Sequence, residues 1–444
     1  MKVYSFPRGG ISVDDPTAPP RDSSAIAFLP GLSVIPLTQH AGSPAKPTVF
    51  AGDAVREGML IGRSHGPLSA NIHATVPGRV IREVSWKSAE GRICDALLIR
   101  MGGSFELLGK RETFYPWEAL SPYELMRHIT EFGIVEMEGA GRPIAALLNP
   151  EKSGKRDQSL VVRCVFDDPW FVSDYVLCRE RLKEVVEGSA IAARTGRLNR
   201  VVFAVSHREK ELGYKLLSAA ASYKIPSSLV LTGSRYPQHN QRELELALRA
   251  YEKREGILIG SVVILGPATL AAIRDAVKLH KPVLDRYVTV GGSAVKNPRV
   301  MKVRIGTRIG DVFAECGGFV DKPKRMATGS PFLGHTVMDL DEPVIKTTYA
   351  VFAILDGQAV EKKVRNCIGC GECRVVCPVG LDPEELFKRT RRSRNGQKAD
   401  AFCPVDECHG CGCCELVCPS RLPLSHLIAN AGTHTASGEN AYGG

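Results

Sequence analysis

The chain has 444 residues, 44% hydrophobic and 24% charged, with a formal net charge of +10. That length exceeds a single hydrophobic core, which stops growing near ~250–300 residues, and the composition is that of a folded chain, not a disordered or fibrous one. The positive balance favours acidic partners such as anionic lipid or an acidic protein face, but no nucleic-acid-binding signature accompanies it.

The opening "MKVYSFPRGG" lacks the apolar core and cleavage site of a secretory signal. Residues 1–30, rich in Pro, Asp and Ser, read as an extended lead-in. From Ser33 to about Arg100 short β runs alternate with tight turns. "VFAGDAVREGMLIG" puts Gly52-Asp53 in a turn between two strands, and "HATVPGRVIREV" reads as a hairpin with Pro77-Gly78 at its turn. This spacing resembles the barrel-sandwich module of biotinyl and lipoyl domains, without the Met-Lys tip that carries their swinging arm.

From about Ser121 to Leu284 helical and strand patterns alternate. "SPYELMRHITEFG" opens with a Ser N-cap and a Pro at the first helical position. "RVVFAVS", "SSLVLTG" and "GSVVILG" are short apolar runs separated by amphipathic stretches, which predicts a parallel α/β sheet. The uncharged segment Gly256–Ile273 is broken by Gly266-Pro267 and reads as a strand, a turn and a helix start rather than a membrane span. Gly139-Ala140-Gly141 is a Gly-rich turn of the kind that cradles a phosphate, or simply a turn. From Tyr287 the pattern returns to β, with one short helix, and fits a β-grasp-like module.

Residues 361–430 are cysteine-rich, holding ten of the fourteen cysteines. Cys367, Cys370, Cys373 and Cys377 precede Pro378; Cys408, Cys411, Cys414 and Cys418 repeat the spacing before Pro419. Two C-x2-C-x2-C-x3-C-P runs point to two [4Fe–4S] clusters, in which three close thiolates hold one cube and the fourth completes the other. The expected ligand sets are therefore Cys367, Cys370, Cys373 and Cys418 for one cluster, and Cys408, Cys411, Cys414 and Cys377 for the other. Structural zinc is the competing reading, although it favours two separated cysteine pairs. Gly369 and Gly412 are expected where the loop backbone bends close to the cube. Cys403 and Cys413 are surplus, and Cys94, Cys164, Cys178 and Cys316 read as packing residues. The basic run "KRTRRSRNGQK" between the two cysteine runs reads as a solvated loop, with a docking patch as the alternative.

Taken together, these features resemble the C subunit of the Rnf (Rsx) electron-transport complex over nearly the whole chain. The matching stretches are "FPRGGISVDDP", Val34–Gly62 with Gln39, His40, Gly42 and Pro44, "RYPQ", "VTVGGSAVKNP", "RIGTRI" and the two cysteine runs. The resemblance implies a multidomain α/β and α+β fold. Its expected parts are a barrel-sandwich hairpin domain (1–118), an α/β domain resembling the flavin-carrying subunit of complex I (119–286), a β-grasp module (287–358) and a two-cluster ferredoxin-like helical domain (359–444). It also implies a subunit lying peripherally on the cytoplasmic face of the cell membrane. There it would pass electrons between NADH and the membrane-embedded subunits of an ion-translocating complex.

That family usually reads Gly-Gly-Ala-Gly-Phe-Pro at its flavin loop. Here Glu138-Gly139-Ala140-Gly141-Arg142-Pro143 stands instead, with Glu136 also in place of a glycine, and the acidic cofactor signature is reduced to Asp168-Pro169. Gly139, Gly141 and Asp168 remain as candidate FMN and NADH contacts, and Arg142 as a counter-charge to the glutamates. The departures predict weak or absent flavin, with a ferredoxin or flavodoxin as donor in place of NADH. No catalytic residue is assigned, and whether the chain itself oxidises NADH is left open. Two further readings stay open: a soluble flavin and iron–sulfur reductase of a corrin or other redox cofactor, and a non-catalytic adaptor that holds clusters near a partner.

Overall fold

In a computed structural model the described residues are 2–14, 18–66, 68–87, 93–149, 157–330, 334–356, 363–394 and 404–429, and every count below refers to them. Two short strands, β1 (Val3–Tyr4) and β2 (Ser24–Ile26), come first. The barrel-sandwich region follows, with β3 (Leu32–Pro36), β4 (Lys46–Pro47), β5 (Ala54–Val55), β6 (Leu60–Arg63), β7 (Ile72–His73), β8 (Gly78–Lys87) and β9 (Ile93–Met101). They form two sheets, ordered β3-β9-β8-β5 and β4-β6-β7, around Ile35, Ile61, Ile72, Leu97 and Ile99. The expected hairpin at Pro77-Gly78 is not formed: β7 pairs with β6 and β8 with β9, so the turn carries the chain from one sheet to the other. Gly78 is required because a Cβ there would collide with the Arg100 carbonyl across the ladder.

The α/β domain opens with α1 (Pro122–Glu131), whose Ser121 and Glu124 form a reciprocal capping box. Then come α2 (Ile144–Leu147), β10 (Gln158–Cys164), α3 (Val172–Glu180), α4 (Leu182–Thr195), β11 (Arg200–Ser206), α5 (Lys210–Ala220), β12 (Ser227–Thr232), α6 (Gln241–Glu255), β13 (Ser261–Leu265) and α7 (Pro267–Lys278). The expected parallel sheet is present, ordered β1-β12-β11-β10-β13. The uncharged 256–273 segment is β13, a Gly266-Pro267 turn and the start of α7, as predicted. α4 and α7 pack closely across one face, where Gly188 lies against the Leu270 carbonyl.

The β-grasp module contains β14 (Asp285–Gly291), β15 (Arg299–Arg304), α8 (Ile309–Glu315), β16 (Arg325–Thr328), β17 (His335–Thr336) and β18 (Ala350–Ile354). Its sheet runs β17-β16-β18-β14-β15-β2. The cysteine-rich domain holds α9 (Glu372–Val375), α10 (Pro383–Arg394) and α11 (Cys413–Leu416) over a small core of Leu386, Phe387, Leu422, Leu424 and Ile428. The basic run expected as a loop is helical for its first half, in α10, because Lys388 and Arg389 pair with Glu384 and Glu385 one turn earlier. Its residues 395–398, and Cys403, lie outside the described residues.

The lead-in is no free tail. β1 adds to the α/β sheet beside β12, and β2 adds to the β-grasp sheet beside β15. Lys346 ties three domains: its buried amine donates to Asn71 O at 3.1 Å and Gly133 O at 2.7 Å, while its backbone N–H meets Gln39 Oε1 at 3.3 Å.

Gly188→Ala forces a methyl into a backbone carbonyl at the α4–α7 contact. It is expected to destabilise the α/β domain by about 1–3 kcal/mol, read as a lowered melting temperature against an unchanged control such as Lys215→Ala.

Candidate iron–sulfur and flavin sites

The two cysteine runs fold as a repeat. Gly369 and Gly410 follow the first cysteine of each run by two residues and have φ of +67° and +69°. Gly371 and Gly412 cap α9 and α11 with φ of +77° and +80°. A Cβ on Gly369 or Gly371 would meet no protein atom within 4 Å, so it is the left-handed backbone that asks for glycine there. The symmetry extends past the prolines, where Gly380 at φ +75° corresponds to Arg421 at +56°.

Between the repeats lie two cavities. One is lined by Cys377, Cys408, Cys411 and Cys414, together with the surplus Cys413. The other is lined by Cys367, Cys370, Cys373 and Cys418. Each cavity thus draws three spaced cysteines from one run and the fourth from the other. Backbone N–H groups point at two of the sulfurs, Gly369 N to Cys367 Sγ at 3.4 Å and Leu381 N to Cys377 Sγ at 3.3 Å. The surplus Cys413 is fully buried, packed with Tyr236 and Val376, and stands in the wall of the first cavity.

The cavities differ in setting. The one around Cys411 faces the α/β domain: Tyr236 Oη donates to Cys411 O at 2.8 Å, Arg242 pairs with Glu407 at 2.5 Å, and His409 approaches Glu243 at 3.4 Å. The N-terminal segment backs it, with Gly10 N donating to Val376 O at 2.9 Å and Gly9 held by Arg235 through its carbonyl at 2.7 Å. The other cavity faces outward. Cys367 and Cys370 are exposed, and so are Ile368 and Val375, each at 70%. "FPRGG" and "RYPQ" therefore serve to dock the cluster domain, a role not visible in either motif alone.

Arg163 links the Gly-rich turn to the segment that carries Tyr236, donating through Nη2 to Glu138 O at 3.1 Å and through Nη1 to His239 O at 3.4 Å. Glu136 Oε2 accepts from Arg142 Nε at 2.9 Å, and its carboxylate fills the space a Gly139 side chain would take. Arg142 thus neutralises Glu136 and not Glu138. Glu138 reaches instead to α7, where Oε1 accepts from Thr269 N at 2.9 Å and Oε2 from the Thr269 hydroxyl. Its carboxylate occupies the side-chain space of Gly266. Gly141, at φ +74°, accepts at its carbonyl oxygen from Ala41 N of the barrel-sandwich domain at 2.9 Å. Asp168 is buried and accepts from Trp170 N at 2.9 Å ahead of α3; burial pushes its carboxyl above the usual range. A neighbouring pair, His239 Nδ1 and Asp167 Oδ1 at 2.7 Å, was not singled out by sequence reasoning, because the two residues are 72 positions apart.

Comparison with known proteins covers each part. Residues 7–104 match the RnfC barrel sandwich hybrid domain, 129–273 the Nuo51 FMN-binding domain, 287–340 the SLBB domain and 363–422 the 4Fe-4S dicluster domain. A relative from Rhodobacter capsulatus, named as the C subunit of an ion-translocating oxidoreductase complex, is 33% identical over 368 residues, covering 81% of this chain and 70% of the relative. The chain belongs to the RnfC family. Another family member, from Clostridium ljungdahlii, is 30% identical over 85% of this chain and 83% of its own; it is named as the C subunit of a proton-translocating ferredoxin:NAD(+) oxidoreductase complex. Among solved structures an NAD+-reducing [NiFe]-hydrogenase aligns with a TM-score of 0.50 at 15% identity, covering 72% of this chain and 62% of that one, which reports on fold alone.

The dicluster match agrees with the cysteine arrangement: the described residues offer two cavities, each lined by cysteines of both runs, and [4Fe–4S] clusters exchange single electrons. The FMN-binding match assigns the α/β domain to a flavin-carrying type. In this member the Gly-rich turn does not fit a cofactor phosphate as it stands, because Glu136 and Glu138 fill the room left by Gly139 and Gly266.

Gly371→Ala and Gly412→Ala each place a Cβ on a left-handed residue, at a cost of about 1–2 kcal/mol. Both variants are expected to retain less iron than the parent chain after anaerobic desalting, by colorimetric iron assay.

Proposed function

We infer that this chain is an electron-transfer subunit of a membrane-bound, ion-translocating Rnf-type complex, carrying electrons through two [4Fe–4S] clusters. The observation that carries the reading is the pair of cavities, each bringing three spaced cysteines of one run together with the fourth cysteine of the other, with Cys413 besides in one of them. In this reading Cys367, Cys370, Cys373 and Cys418 hold the outer cluster, and Cys408, Cys411, Cys414 and Cys377 hold the inner one. The protein supplies thiolates, left-handed turns that set their spacing, and N–H groups aimed at Cys367 and Cys377. Hydrogen bonds of that kind stabilise the reduced, more negative state of a cluster and so raise its potential.

The outer cluster is where another protein exchanges electrons, since Cys367 and Cys370 are exposed beside Ile368 and Val375. A soluble carrier of the ferredoxin or flavodoxin type, or a neighbouring subunit, fits that position. Among the described residues no helix is long and apolar enough to cross a membrane. Attachment on the cytoplasmic face is accordingly through partner subunits. The relatives named above belong to complexes of several subunits, which supports this.

Anaerobically purified chain is expected to contain about eight iron and eight acid-labile sulfide. Zinc without sulfide would overturn the assignment. Cys377→Ser should deplete mainly the cluster bound from Cys408 onward, seen as loss of one of two electron paramagnetic resonance signals, because the fourth ligand crosses over.

Co-expressed with its complex, the chain should sediment with membranes and be released by raising salt from about 0.1 to 1 M, which shortens the screening length from about 10 to 3 Å. Firm membrane binding by the chain expressed alone would contradict attachment through partners.

A further inference from the structure

In a doubly wound sheet, ligands bind beyond the carboxyl ends of the strands, where successive connections diverge. That point here lies between β10 and β13: β11 and β12 extend the sheet to one side of β10, and β13 joins on the other. α7 begins at this point, with Gly266 as its N-cap and Pro267 next. A twelve-residue helix that turns its free N–H groups into such a crevice is suited to an anion.

The group held there belongs to the chain, a carboxyl that burial and the nearby Asp174 push above its ordinary range. Glu138 accepts from the backbone and the hydroxyl of Thr269, the third residue of α7, and its carboxylate lies on the Cα of Gly266. The surrounding guanidinium groups are already engaged, though Nε of both Arg163 and Arg286 has no hydrogen-bond partner among the described residues. Arg163 Nη2 donates to Glu138 O at 3.1 Å. The fully buried Arg286 pairs with Asp174 at 3.0 Å and donates to Met137 O at 3.5 Å. Two guanidinium groups thus face two carboxylates, Glu138 and Asp174. A phosphate carrying almost two negative charges would find the helix N-terminus taken and no cation in excess, in a partly desolvated place where like charges repel strongly.

We propose that Glu138 is a built-in substitute for a cofactor phosphate, and that it closes the crevice of this α/β domain to FMN. The inference deepens the function proposed above and rests on it for its meaning: a protein closed to flavin receives its electrons from another protein. It also sets this chain apart from the domain type it matches, while explaining why the fold persists. With the glutamate seated, the α7 N-terminus stays satisfied without a ligand.

The test uses the full chain, purified anaerobically with its clusters, as wild type, Glu138→Gln and Glu138→Gly. Each is incubated with excess FMN and desalted, and retained flavin is counted by absorbance; affinity is titrated by quenching of FMN fluorescence. Glutamine keeps the shape and one acceptor for Thr269, so wild type and Glu138→Gln are expected to retain almost no flavin. Glycine removes the carboxyl group and opens the seat beside Arg163 and Arg286. Glu138→Gly is expected to bind FMN at least about tenfold more tightly than wild type, a difference of about 1.4 kcal/mol. One FMN retained per wild-type chain overturns the proposal, and so does a folded Glu138→Gly that binds FMN no better than wild type. Melting curves identify folded variants, and should the glycine variant fail to fold, wild-type retention alone decides. Iron and sulfide counts on the same samples report on the cluster reading independently, so the two cannot fail unnoticed together.

Discussion

The arrangement of the domains hangs on an extended segment of fewer than thirty residues at the N-terminal end. Its first strand completes an edge of the α/β sheet beside Leu231 and Thr232. Its glycines then lie on the backbone of Val376 and Cys377, too close for any side chain on Gly9, and Ile11 exchanges backbone hydrogen bonds with Tyr236. Its second strand finishes the β-grasp sheet, and Phe28 N meets the Glu315 carboxylate beyond it. A buried extended chain makes no hydrogen bonds within itself, and joining a sheet edge is one way to satisfy its N–H and C=O groups. By joining two sheets and touching the cluster loop between them, this one fixes how far the cysteines stand from the α/β crevice.

What sequence could reveal follows from the range of the signals. The Ser121–Glu124 capping box, the apolar runs of β11, β12 and β13, and the Gly266-Pro267 break are local, and each formed where expected. The spacing of the cysteines is local too, and the exchange of the fourth one follows from the repeat. By contrast, the two edge strands of the lead-in have partners more than two hundred residues away, and nothing in a Pro- and Ser-rich stretch announces them. The same holds for β7 and β8, which share a turn yet pair in different sheets.

Glu138 shows a subtler limit. In sequence it is a charge standing where a glycine is usual, and the natural expectation is repulsion of a phosphate with Arg142 as relief. The structure gives Arg142 to Glu136 and gives Glu138 a seat of its own on α7. Similarly, Gln39, His40 and Gly42 stand out as family-matching residues but serve packing. Gln39 bridges Pro36 O and Lys346 N, His40 turns to Ala41 O, and Gly42 lies on the Leu68 carbonyl. Lys346 itself is a single lysine in an ordinary stretch, and only the fold reveals that burial pushes its amine down to about 7 while it spans three domains.

The crossing of the fourth cysteines has a consequence for how the protein is made. Each cavity draws on both runs, and the runs are about forty residues apart in the chain. The run that leaves the ribosome first offers three thiolates and waits for Cys418, which is among the last cysteines synthesised. The second run, made later, finds Cys377 already in place. On the proposed ligand sets the inner cluster is closed first and the outer one last. A chain shortened before Cys408 would keep only the four cysteines of the first run and, on these ligand sets, no complete site, so neither cluster can be closed until the second run has been made.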